Sequence, residues 1–536
     1  METLKINGGT DWHFVNGAWT DGEGGGLVVP DALRRIDGPN LQGHHYAFNK
    51  KLRFKDLHAR FEFRLTGHSD TGLIFRAADE SNFLLLHFPN CGQAYRAQHF
   101  WAALSRMDGS GFQRIIKMEM IRRVPSTKGL WLAADAIVKG NAISVRIGEF
   151  GVFKVEDDAL SGAGCVGVYS VGAADIRNVT VEGTPADAAW NDAVRQPTDW
   201  FHPCSDPEFK GWQMPQDLVR LKSGELLLNF TVQAQAWQGK SVPFLMRSKD
   251  HGRTWSKPEL LKALESDDNW QPPRLHITPG GRLIGIIRQN EQVLAVESAD
   301  GAKTWSAPVD LKIGPYPPNM PKLHMGPQGF INLKDGSMVM LLYGGNELKN
   351  PAYTVFTWGS LHCQAFACRS TDDGRTWSAP VNVDNPGCDD KGKIYDGNLD
   401  LTEVCGAQTG DGRIVALIRP IYSPWMWETW SADGGKTWGP CLRGPFPGYA
   451  TPNMLRTASG KLLVAHRLPG LTVHVSPDDG RTWDEGTTID GALWAMGAMI
   501  EVEPDIVFYV YYDSFESLMR GRIFKVTQKG LEPVRK

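Results

Sequence analysis

An all-β protein is predicted, a two-sheet sandwich followed by a six-bladed β-propeller, and three observations predict it. Alternation with the period of a strand runs through the first ~185 residues. After that an eight-residue signature recurs five times, and a turn glycine followed by an apolar strand precedes each recurrence.

The 536 residues, 42% of them hydrophobic, are enough for more than one core. The 58 glycines follow no three-residue period, and the apolar content excludes a disordered chain. With 57 Lys+Arg against 60 Asp+Glu and no basic run, the chain carries no electrostatic footprint for nucleic acid or an anionic membrane. No apolar stretch approaches the roughly 20 residues that cross a bilayer. The start, Met1-Glu2-Thr3-Leu4-Lys5, lacks the pattern of a secretory signal, so the expectation is a cytoplasmic protein or one whose leader has been removed. Cys91, Cys165, Cys204, Cys363, Cys368, Cys388, Cys405 and Cys441 are too sparse for a disulfide framework and are expected mostly as buried thiols. Cys363 and Cys368 have no companion ligand pair, and no metal or organic cofactor is implied.

In chain order, Leu57-His58-Ala59-Arg60-Phe61-Glu62-Phe63-Arg64-Leu65 alternates apolar with polar residues, as a half-buried strand must. Similar runs at 72–75, 82–88, 142–147 and 176–181 are bounded by Gly, Asp, Ser or Asn, and residues 1–184 read as a sandwich. The stretch TPADAAWNDAVRQPTD loses the alternation, so 185–199 read as a linker and 200–536 as the propeller.

The octet Ser-x-Asp-x-Gly-x-Thr-Trp begins at Ser248, Ser370, Ser431 and Ser476, and a fifth copy at Ser298 carries Ala302 in place of the glycine. It reads as a hairpin turn: Ser and Asp bond loop amides, the Gly relaxes the backbone, and the Trp packs between sheets. The octet tryptophans are 50, 72, 61 and 45 residues apart, one blade per interval. Gly224, Gly281, Gly336, Gly412 and Gly460 each open an apolar strand, and a sixth strand pair, Ala498 to Val502 and Ile506 to Tyr512, closes the ring.

Inner strands of a propeller converge on an axial depression. Counting seven residues from each turn glycine gives Thr231, Arg288, Tyr343, Arg419 and Arg467, and an arginine cluster there would hold a carboxylate, sulfate or phosphate. Structural ion pairs with loop carboxylates are the alternative. His276 beside Arg274, His324 and His466 sit on or near inner strands, where imidazole could exchange protons, although a lone histidine is more often structural. Tyr511 and Tyr512 end the sixth strand pair, and alternation lets only one face the axis. Trp237, Trp358, Trp425, Trp427 and Trp494 fall outside the octets, as sugar-stacking platforms or as core.

The octets resemble the Asp boxes of the sialidase (neuraminidase) superfamily. Gly164-Cys165-Val166-Gly167-Val168-Tyr169-Ser170 followed by Asp175-Ile176-Arg177-Asn178-Val179 resembles concanavalin-like (laminin-G-like) jelly-roll domains. The first resemblance implies a sialidase-like propeller in which Glu403, nine residues before Gly412, assists a nucleophile and Arg419 belongs to a triad gripping a sugar carboxylate, with Arg467 as its third member. Three features depart from that pattern. Gln213-Met214-Pro215 stands where the family has Arg-Ile-Pro, no acid/base aspartate is evident in 233–244, and Trp494-Ala495-Met496-Gly497 occupies the place of the tyrosine. Asp217 is a candidate second carboxylate beside Glu403, since glycoside hydrolysis usually needs a pair.

The expectation is therefore an exo-acting glycoside hydrolase for an acidic glycan, sialic acid or a related sugar. Its catalytic residues are Glu403 and Asp217, and its substrate-binding residues are Arg288, Arg419, Arg467, Arg274, His324, Gln213 and Trp494. A propeller-type polysaccharide lyase acting on a uronate glycan and a non-catalytic glycan-binding protein are the rival readings. The partner in each case is a carbohydrate, and oligomeric state is not legible.

Overall fold

The computed structural model describes residues 2–6, 11–29, 44–89, 97–125, 130–158, 161–197, 199–234, 240–265, 273–289, 292–318, 320, 322–323, 327–347, 361–384, 387–388, 394–395, 401–420, 425–448, 450–491, 496–512, 518–528 and 530–535. Strands dominate, and among the described residues no helix is long and apolar enough to cross a membrane.

Two long strands, His45–Asp79 and Gly164–Pro185, organise the amino-terminal part. Val168 pairs with both Ala47 and Leu73, and farther along Asp175 pairs with Arg64 and Val181 with Ala59. One bent strand thus serves two layers. Gly167 makes the crossing possible, because a Cβ there would lie 2.3 Å from the Ala47 carbonyl oxygen. The alternation expected at 57–65 is present: Leu57, Ala59, Phe61, Phe63 and Leu65 are buried, and Phe63 stacks on Phe88 with centroids 4.1 Å apart. Phe61, Leu86, Ile143, Val168 and Ile176 belong to the same core cluster.

In the carboxy-terminal part, five sheets of four or five strands stand alone among the described residues, against the six blades expected. In chain order they are Trp212–Arg220 to Glu259–Leu260, Arg274–Ile277 to Val309–Asp310, Lys322–Leu323 to Val381–Asn382, Leu401–Gln408 to Leu442–Pro447, and Gly497–Glu503 to Gly530–Pro533. The antiparallel strands Asn453–Arg456, Leu462–Arg467, Leu471–Ser476 and Thr487–Asp490 occupy the remaining place, but they run on into the amino-terminal sheet. Thr487 pairs with Arg114 and Thr488 with Gln113, so this fifth blade in chain order is fused to the front sheet.

The packing explains the fusion. Tyr46, Phe48, Trp101 and Met118 of the front part share one buried cluster with Leu463, Val473, Tyr509 and Phe524 of the propeller. The stretch expected as a linker is packed down as well. Trp190 lies 5.1 Å from Phe48, and the Gln196 amide donates to the Glu80 carboxylate at 2.8 Å.

The octets behave as turn devices. In each, the Ser hydroxyl donates to the Asp carboxylate at 2.8–2.9 Å, and that Asp accepts both the amide and the hydroxyl of the box Thr. Ala302 takes φ +67° in the copy without glycine and keeps the same bonds. Gly224, Gly281, Gly336, Gly412 and Gly460 all have left-handed φ, from +79° to +94°, and Asp505 fills that place in the last blade at φ +58°. Cys165, Cys204, Cys363, Cys368, Cys405 and Cys441 are buried free thiols.

Candidate functional site

The second strand of each blade runs from the turn to the opposite end of the ring, so equal steps from the turn reach equal heights. Seven steps lead to Thr231, Arg288, Tyr343, Arg419 and Arg467, and from Asp505 they lead to Tyr512. Four of these side chains surround Glu403, which a strand irregularity between Leu401 and Val404 sets opposite Arg419.

Arg419 Nη1 donates to Glu403 Oε1 at 2.8 Å. The Thr451 backbone amide donates to Oε2 at 2.6 Å, and its hydroxyl stands 3.3 Å from the same oxygen. Glu403, Arg419 and Arg467 are all buried. Burial pushes the Glu403 carboxyl up, but Arg419, Arg467 and the Thr451 amide outweigh it and hold the group below its ordinary value. Tyr512 is fully buried against Trp212, with ring centroids 4.7 Å apart. Desolvation pushes its phenol up to about 12 against the opposing field of Arg467, with Glu403 adding to the rise. Tyr343 is raised by burial and by Glu403, and Arg419 and Arg288 oppose the shift. Arg419 and Arg467, from the fourth and fifth blades, thus act together on Glu403 and Tyr512, and Arg288, from the second, joins Arg419 at Tyr343.

Asp217 and Arg274 lie two residues deeper along their strands than the Glu403 level. Arg274 Nη2 is 2.9 Å from Asp217 Oδ1, and the Leu275 amide donates to Oδ2 at 2.8 Å. Burial raises the Asp217 carboxyl, and Arg274 opposes that rise. With Cys405, Asn453 and Ala498 the pair lines an axial cavity of about 150 Å³. The structure therefore sets Asp217 beside Arg274, whereas the sequence had paired it with Glu403.

Gln213 faces protein, not the axis. It is fully buried, donates to the Phe209 carbonyl at 3.0 Å and accepts the Met519 amide at 3.1 Å. His276 bonds Asn332 at 2.8 Å and stacks on Phe330, and burial lowers it to about 4. His466 is buried beside the stacked rings of Phe446 and His474, and burial lowers it too. Trp427 is core, while Trp425 packs edge-on against Trp101 of the front part with Arg443 3.5 Å over its ring. His324, Trp494, Trp237 and Trp358 lie outside the described residues.

Of the adjacent tyrosines at the end of the last blade, Tyr512 turns to Arg467 and Tyr511 turns away. The Tyr511 hydroxyl donates to Asp490 Oδ2 at 2.5 Å, and Arg520 holds the same oxygen at 3.2 Å. Sequence reasoning missed that choice, although counting seven from Asp505 would have made it. It also missed Thr451, whose contribution is a backbone amide.

The chain is 26% identical over 268 residues to a sialidase of Bacteroides fragilis (strain YCH46), a match covering 42% of this chain and 46% of that protein. It thus spans less than half the length of this curated relative. Among solved structures, the Hadza microbial sialidase Hz136 aligns over 92% of this chain and 97% of its own, with 15% identity and a TM-score of 0.47. A protein of unknown function from Dyadobacter fermentans aligns over 61% and 96%, with 17% identity and a TM-score of 0.45. The model of the BNR repeat-like domain matches residues 214–351 and 289–497, the region that holds all five octets together with Glu403, Arg419 and Arg467. With more than half of its length inside that match, the chain belongs to the BNR repeat-like domain family.

Proposed function

We propose that the axial cluster binds the acidic group of a glycan and that the protein is an exo-acting glycoside hydrolase for an acidic sugar, with sialic acid or a related sugar at the cleaved end. The observation that carries this reading is the joining of Glu403 and Arg419 in one buried pair beside Arg467. Arg419 and Arg467 act on the Glu403 carboxylate and Arg288 on Tyr343 beside it, a concentration of guanidinium groups that suits a ligand bringing negative charge.

In this reading Arg288 and Arg467 hold the ligand's carboxylate. Glu403, ionised and tethered at both oxygens, steadies the positive charge that develops on the sugar ring as the glycosidic bond breaks. The axial Asp217–Arg274 pair supports the floor below. The same reading takes residues 1–184 as an ancillary sandwich, 185–199 as its connection and 200–536 as the propeller. It is supported by the sialidase named above as a relative, within the limits of that partial match. A panel of aryl glycosides that includes sialosides and uronides, assayed with wild type and Glu403→Gln, tests it. Release of the aryl alcohol from one acidic glycoside, lost in the variant, is expected. No turnover of any member would end the hydrolase reading.

The second reading, a uronate lyase, is favoured by Tyr512, a buried phenol in the field of both Arg467 and Glu403. A lyase would leave an unsaturated product that absorbs in the far ultraviolet, and hydrolysis would not.

A further inference from the structure

At the box end of the propeller, the fourth residue of four of the five octets bonds the preceding blade, at its hairpin turn in three of them and at its third strand in the other. Asp373 accepts the Gly280 amide at 2.7 Å, and Asp479 accepts the Gly410 amide at 3.0 Å. His251 bonds Glu503 at 2.8 Å, and the Gly434 carbonyl accepts from Arg369 Nε at 3.2 Å. The last blade has no octet, and there Glu501 accepts the Ala458 amide at 2.7 Å. Five junctions are therefore latched.

The junction between the first and second blades is different. Its octet, Ser298-Ala299-Asp300-Gly301-Ala302-Lys303-Thr304-Trp305, has glycine at the latch position, as the octet at Ser431 does, but among the described residues no arginine of the preceding blade reaches the Gly301 carbonyl. Among the described residues, no hydrogen bond or ion pair joins this octet to the turn Leu221–Glu225. A cleft of about 1360 Å³ opens in its place. Lys222, Arg247, Lys249, Arg282 and Lys303 line it, against Glu225, Glu297 and Asp300, in a protein whose net charge is −3. Arg247 is paired with Glu225 and Arg282 with Glu297, and Asp300 is committed to Thr304. The exposed Lys222, Lys249 and Lys303 remain. Trp305 forms part of the wall, and among the described residues its indole N–H, like that of Trp377, bonds no box carbonyl, whereas Trp255 and Trp483 give theirs at 2.9 and 3.2 Å.

We propose that this cleft is a second binding site, separate from the axial cluster, and that it takes a strand of an acidic polysaccharide. The three ammonium groups answer carboxylates spaced along such a strand. The Trp305 ring offers an apolar face to a pyranose, and its N–H a donor to a hydroxyl. Nucleic acid would also answer the charge, but a single aromatic ring among lysines and serines suits a sugar better than a run of stacked bases. The inference does not rest on the reaction proposed for the axial cluster, because the site lies at the other end of the blades and is read by binding alone.

Titration of the full chain with an oligogalacturonate, its fully methyl-esterified counterpart and a single-stranded oligonucleotide of equal charge tests the proposal. The oligogalacturonate is expected to bind with an affinity that falls as salt rises, and at least tenfold more tightly than the ester or the oligonucleotide. The triple variant Lys222→Glu, Lys249→Glu, Lys303→Glu is expected to lose at least tenfold. Gly301→Asp installs the missing latch and is expected to lose as much. It is sterically permitted, since a Cβ at Gly301 would meet only Leu221 at 3.5 Å, and Asp373 and Asp479 already hold φ near +60°. Wild-type affinity in both variants, or equal affinity for the ester or the oligonucleotide, would overturn the proposal.

Discussion

The Thr451 amide reaches Glu403 from a residue whose φ is +36°, directly after Ala450 at φ +53°. A β-branched residue is rarely found there, and each left-handed non-glycine residue costs on the order of 1–3 kcal/mol. That strain aims a backbone donor at Oε2 while Arg419 occupies Oε1. Glu403 is thereby ionised and fixed in orientation without a second acidic partner.

Two substitutions separate the donor from the strain. Thr451→Gly keeps the amide and relieves the backbone, so the expected result is an unchanged or raised melting temperature with an unchanged pH profile. Thr451→Pro deletes the donor and imposes φ near −65°. The Glu403 carboxyl should then titrate at higher pH than in wild type. A carboxylate depressed in the folded state contributes stability above its unfolded value, and that stability is lost as pH falls through the folded value. The proline variant should forfeit part of it already near neutrality. Carbon-13 NMR titration of the Glu403 carboxyl, assigned with Glu403→Gln, reads the shift. An unmoved titration in the proline variant would show that the amide does not hold the carboxylate.

Removing Arg419 leaves a buried carboxylate short of its partner. Arg419→Ala is expected to cost about 3–5 kcal/mol in urea unfolding, and Glu403→Gln in the same chain should restore much of it. Arg467→Gln leaves the Glu403–Arg419 pair intact, so it should cost less stability while weakening binding of an acidic ligand at least tenfold. Equal stability losses in the two arginine variants would contradict this division of labour.

Much of this was legible in the residues, and the rest was lost for identifiable reasons. The octets and turn glycines announce the blades because one local hydrogen-bond pattern is repeated at fixed spacing. The same spacing placed Arg288, Arg419 and Arg467 at one height. Gln213 was misjudged because a position in a pattern says nothing about side-chain direction, and its amide is spent on Phe209 and Met519. Asp217 was paired with the wrong neighbour because its partner, Arg274, comes from the next blade. The fusion of the fifth blade with the front sheet could not be foreseen, since the pairing of Thr487 with Arg114 joins strands over 370 residues apart and leaves no periodicity.

Buried imidazoles set an acid limit on the fold. Burial lowers His44, His276 and His474 to about 4, against about 6.5 for an unfolded chain. Between those values the unfolded state binds more protons, so stability falls as pH is lowered from 6.5 toward 4, by up to a few kcal/mol per group. Urea unfolding at pH 7.5, 6.0 and 5.0 should show this slope, and His474→Asn should flatten it. A slope unchanged by the substitution would remove His474 from the explanation.

The shared core predicts that the front part and the propeller unfold as one cooperative unit. Trp101 is buried in the cluster that also holds Leu463, Val473 and Phe524, and the Thr487–Asp490 strand carries the front sheet onto the fifth blade. Beside it His44 meets Tyr169 at 2.8 Å and feels the field of Asp490, whose carboxylate also binds Tyr511 and Arg520. Calorimetry of the full chain should therefore give a single transition, and Trp101→Ala, expected to cost about 3–5 kcal/mol, should lower all of it together. A fragment of residues 200–536 would expose the propeller side of this cluster to water and is expected to aggregate or to lose its fixed packing. Two separate transitions, with only the first moved by Trp101→Ala, would mean that the sheet fusion joins two independently stable halves.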